Sequence, residues 1–276
     1  MPAPQKSMLA QLAKMNFMSM GIQLPIDWSQ PGEQYPDAFQ PSEKMVTPNS
    51  PINLFREATL NKYHVDSANK IGKQYEDYID GITGAICDSI DKWMKMTVIA
   101  GVIITGPVGI LLPGCVVGPP LTPLILATAP KNTQQEILYS NAIANAFGTL
   151  WLPWHMGLMG TLMYPPFAAF AGPMAPPMPN VPIPLAALSS PGESGLSPNT
   201  LKSTMEGFLA DPKALHAKEL FEAIAKGFNT VFQIFKASTM AQNVLGMGPI
   251  PSFAPPVVPV GPVLGGTVIP KPGVLM

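Results

Sequence analysis

The chain has 276 residues with 16 basic and 17 acidic side chains, and only 12% of it is charged, where about 25% is usual. A net charge of −1 excludes a broad basic face for nucleic acid, and 47% apolar residues exclude a solvating disordered chain. Its 34 prolines, about twice the usual share, enforce turns and extended segments because each removes a backbone donor.

At the N-terminus, Met8, Leu9, Leu12, Met15 and Met18 fall at helical spacing and predict a short helix docked on a core. Lys6 and Lys14 are too few for a membrane-surface face, and Lys14 interrupts the only apolar run, so no secretory signal is expected. Residues 21–50 place Pro25, Pro31, Pro36, Pro41 and Pro48 among polar residues, which reads as an extended arm.

Asn49-Ser50-Pro51 is a helix start, with a capping side chain before proline. Further on, Ala68, Ile71, Tyr75, Tyr78, Ile82, Ile86, Ile90 and Trp93 recur at three- and four-residue steps. They predict a long amphipathic helix over about 65–95. Asp77, Asp80, Asp88 and Asp91 fill its wet side and read as a solvated face rather than metal ligands. Gly81 and Gly84 point to a close neighbour or a break.

From Met96 to Gly192 only Lys131 and Glu136 are charged, and something must cover so apolar a stretch. Thr97 to Thr105 is β-branched and uncharged, consistent with a buried strand or a helix end. Proline comes too soon after Met96 for a membrane span, which needs about 20 apolar residues. Thr133 and Glu136 have capping-box spacing and open a helix over about 134–151, which should stop before Pro153. Residues 153–190 form an uncharged coat rich in Pro, Met and aromatics. A short helix follows from Asn199-Thr200 to Ala210. A second amphipathic helix, about 212–240, is opened by Asp211-Pro212 and carries Leu220, Phe221, Ile224, Phe228, Val231 and Phe235 on one face. Residues 246–276 are again Pro- and Gly-rich, with Lys271 the single charge.

No reaction is written in this chain. His64, His155 and His216 have no metal-ligand spacing, and Ser67-Ala-Asn-Lys70 lacks the companion motifs of a serine–lysine site. Cys87 and Cys115 read as buried thiols of a reducing compartment. No cofactor, metal or catalytic residue is assigned, and nucleic acid is not an expected partner.

Three strings carry a resemblance: Gly114-Cys-Val-Val-Gly-Pro-Pro-Leu-Thr-Pro-Leu-Ile125, Asn141-Ala-Ile-Ala-Asn-Ala-Phe-Gly-Thr-Leu-Trp151, and Tyr164-Pro-Pro-Phe-Ala-Ala-Phe-Ala-Gly-Pro173 with Met178-Pro-Asn-Val-Pro-Ile-Pro184. In this order the chain resembles structural proteins encoded with bacteriophage tails and contractile injection systems. The resemblance covers about 82–188. It implies a non-enzymatic virion component, made in the bacterial host cytoplasm, and carries no catalytic residue across.

The expectation is a mainly α protein whose amphipathic helices bracket extended segments, with α+β and short strands near 97–125 as the alternative. Four regions are expected: an N-terminal arm (1–48), a central domain (49–190), a helical region (191–245) and a C-terminal arm (246–276). The arm is expected to order only on a neighbouring copy, in a homo-oligomer such as a ring or trimer, or on other tail or baseplate proteins. Expected interface residues are Trp151, Trp154, Tyr164, Phe167, Phe170, Pro176, Pro177, Phe253, Val257 and Val258. Membrane insertion of residues 96–192 during injection is the competing reading.

Overall fold

The computed structural model describes residues 4–20, 59–168, 172–211, 214, 216–251 and 260–276. The arm at 21–50, the Asn49-Ser50-Pro51 start, and Phe170, Phe253, Val257 and Val258 lie outside the described residues, as do the side chains of His64 and Ser67. The helices are α1 (Lys6–Ser19), α2 (Thr59–Met96), α3 (Leu121–Thr128), α4 (Gln134–Met156), α5 (Pro198–Leu209) and α6 (Ala217–Ser238).

The helical half follows from sequence periodicity. Tyr78, Ile82, Ile86, Ile90 and Trp93 of α2 are all buried, as are Leu220, Phe221, Ile224, Phe228, Val231 and Phe235 of α6. Ring contacts join Tyr78 to Tyr139 and Trp93 to Trp151, then Tyr139 to Phe221 and Phe147 to Phe228. Contact positions rise together along all three chains, so α2, α4 and α6 run parallel. The wet face of α2 is laced with lysines: Asp77 pairs with Lys73, Asp80 with Lys14, Asp88 with Lys6 and Asp91 with Lys95.

The start of α4 is the capping box expected from Thr133 and Glu136. Glu136 N donates to Thr133 Oγ1 at 3.1 Å, and Thr133 N donates back to Glu136 Oε2 at 3.3 Å. Thr133→Ala should lower stability by about 1 kcal/mol, read as a shift in the urea midpoint.

Sequence rules fail at the other end of α4, which continues through Pro153 to Met156. Trp154 and His155 are buried, Gly157 N closes on Pro153 O at 3.0 Å, and Ser190 Oγ donates to Trp154 O at 2.7 Å. Packing of that last turn outweighs the helix-breaking tendency of proline. Helix α6 begins at Ala217, past Asp211-Pro212, and both Ala210 and His216 before it adopt left-handed backbone, at φ 49° and 58°. Gly81 marks a close approach without a break: a Cβ there would lie 2.5 Å from the Pro130 ring, while Gly84 faces open space.

The mainly α expectation is overturned, because the chain also builds a six-stranded antiparallel sheet and is α+β. The sheet order is β5 (Gly160–Met163), β3 (Val108–Leu111), β2 (Ile103–Thr105), β12 (Leu264–Ile269), β10 (Leu245–Pro249), β7 (Met174–Pro179). Strands at 98–117 fall where the alternative reading put them, but 121–128 is helix. The sheet curls until its edges approach, where Val181 N, just past β7, donates to Met163 O of β5 at 2.7 Å. Three short pairs lie outside this sheet: β1 (Val98–Ile99) with β4 (Val116–Val117), β6 (Phe167–Ala168) with β11 (Val260–Gly261), and β8 (Ile183–Pro184) with β9 (Met240–Ala241).

The C-terminal segment, expected to order only on another copy, supplies β10 and β12 to the interior of the chain's own sheet. There Leu245 lies opposite Ile269, and Leu264 opposite Thr105. It also closes against β9, where Met240 N donates to Met276 O at 2.6 Å.

Candidate functional site

Of the expected interface residues, Trp151, Trp154, Tyr164 and Phe167 are buried inside one chain, at 1%, 0%, 3% and 1% exposure. Trp151 and Trp154 sit 4.4 Å apart between ring centroids, with Trp93 at 5.1 Å from Trp151 and Phe232 at 5.1 Å from Trp154. This cluster joins α2, α4 and α6. The indole nitrogens of Trp93, Trp151 and Trp154 have no hydrogen-bond partner among the described protein atoms, so the cluster is held by packing alone.

Tyr164 fills the inside of the curled sheet. The strands close around it where glycine stands at the inward position: a Cβ at Gly246 would lie 2.7 Å from the Tyr164 ring and 2.6 Å from Ile104 Cδ1, and one at Gly109 would lie 2.9 Å from Tyr164. Burial pushes the Tyr164 hydroxyl pKa well above the ordinary phenol value. Burial likewise pushes the Cys87 thiol up to about 12, so it is unreactive at neutral pH.

The ring of His155 stacks edge-on to Trp93 and its Nδ1 lies 3.0 Å from Trp151 O, an arrangement made by an Nδ1–H donating to that carbonyl. Burial lowers its pKa, and the Trp151 carbonyl opposes that shift more weakly. The unfolded ring titrates near 6.5, so as pH falls through about 6.5 the unfolded chain takes a proton that the native ring refuses. Stability is therefore full above that value and falls with pH below it, by at most about 1.4 kcal/mol per unit. Urea midpoints between about pH 7.5 and 5.5 should show this slope, and His155→Gln should flatten it.

Two features remain at the surface. One is a cleft of about 660 Å³ between α5 and α6, lined by Glu206, Leu209, Ala210, Asp211, His216 and Glu219. Among the described residues no cluster of His, Cys, Asp and Glu could hold a metal ion.

The other is the outer face of the curled sheet. None of its six strands contains a charged residue. Alternation is strict in β2, β3 and β5, where Ile104, Leu111 and Leu162 point in and Ile103, Ile110 and Met163 point out. Ile103 lies directly opposite Ile110, Thr105 opposite Val108, and Val108 opposite Met163. Across the sheet the outward row continues through Leu264, Ile269 and Met174 to Pro176 and Pro177, the two exposed ones among the described expected interface residues. An antiparallel sheet with one wet face normally carries polar residues there. Here Ile103, Ile110, Met163, Met174 and Leu264 keep 43–48% exposure. Thr105, Thr161 and Thr267 point outward with them, so the face is uncharged but not wholly apolar.

Apart from Pro176 and Pro177, the individual positions on this face were not legible in the sequence. The lack of charge over 96–192 was the only signal, and it did not separate covered strands from an exposed face. Compared with known proteins, the chain matches no family model, no curated protein and no solved structure. No helix among the described residues is long and apolar enough to cross a membrane. The sheet's strands have three to six residues, where a membrane-spanning strand needs about 9–11.

Proposed function

We propose that this protein is a non-enzymatic structural component of a bacteriophage tail, an adaptor of the baseplate that assembles with itself and with neighbouring particle proteins. The observation that carries the reading is the charge-free outer face of the six-stranded sheet, a surface suited to burial against protein. The resemblance of the strings at 114–125, 141–151 and 164–184 to tail-encoded structural proteins supports the same reading. Sparse charge argues against packing on DNA, because phosphate neutralisation requires clustered Lys or Arg.

Cross-linking mass spectrometry on intact particles tests the placement. Lys271 follows β12 and Lys131 sits between α3 and α4, so both report on what lies near the sheet and the helical half. Cross-links to tube, hub or wedge proteins are expected, and cross-links to capsid or portal proteins alone would overturn the baseplate assignment. Strong dye leakage from liposomes exposed to the purified chain would instead favour insertion into a bilayer.

A further inference from the structure

We draw no further inference here: the strongest candidate, the cleft of about 660 Å³ between α5 and α6 lined by Glu206, Asp211, His216 and Glu219, is a cluster of acidic side chains with nothing among the described residues to point to a ligand, since the unpartnered Glu206 Oε1 is itself closed off from solvent.

Discussion

Trp151→Ala is expected to remove about 3–5 kcal/mol of folding stability, measured as a lower urea midpoint and a lower soluble yield. Trp151 is 1% exposed and its ring touches Trp93, Trp154, Phe232 and Phe235, at centroid distances from 4.4 to 6.3 Å. Those partners come from α2, α4 and α6, so the cavity would open where the three parallel helices meet, and none could refill it without moving its helix. Domains are stable by only about 5–15 kcal/mol, so this is a large fraction of the total. Trp151→Phe keeps most of the ring and removes an indole N–H that lacks a partner, and should cost less than half as much. The comparison separates a core residue from a contact between copies. Were Trp151 an interface residue, alanine would weaken association and leave the midpoint of the isolated chain unchanged.

The opposite pattern is expected on the sheet. Ile103→Glu combined with Ile110→Lys should leave the isolated chain folded and reduce assembly by at least about 100-fold, because burying each ion at an interface costs several kcal/mol. The two residues face each other across β2 and β3 and are 48% and 43% exposed. In the free chain the new charges stand in water as a cross-strand pair, so its stability should move by no more than about 0.5 kcal/mol. Light scattering of the purified chain and incorporation into particles are the two readouts. Lys92→Glu, an exposed change on the charged side of α2, is the control and should assemble normally. Normal incorporation of the Ile103/Ile110 variant would remove the sheet face from the proposed function.

The apolar faces of α2 and α6 and the capping box at Thr133 and Glu136 were determined by the sequence alone. Each rests on interactions within a few residues of one another, so a repeat at 3.6-residue spacing carries the information. The sheet was decided only by the tertiary structure. Its strands are three to six residues long, too short to display a period, and residues 103–105 pair with 264–269 from the far end of the chain. Apolar residues on both faces also hid the alternation that would have marked strands, since Ile103 and Ile104 look alike in sequence although one faces out and the other in. The same ambiguity governed Trp151 and Trp154. Composition requires that such side chains be covered, but whether the cover comes from the same chain or another depends on how α2, α4 and α6 meet. Pro153 shows the limit from the other direction: a local rule ends α4 there, and the burial of Trp154 and His155 carries the helix one turn further.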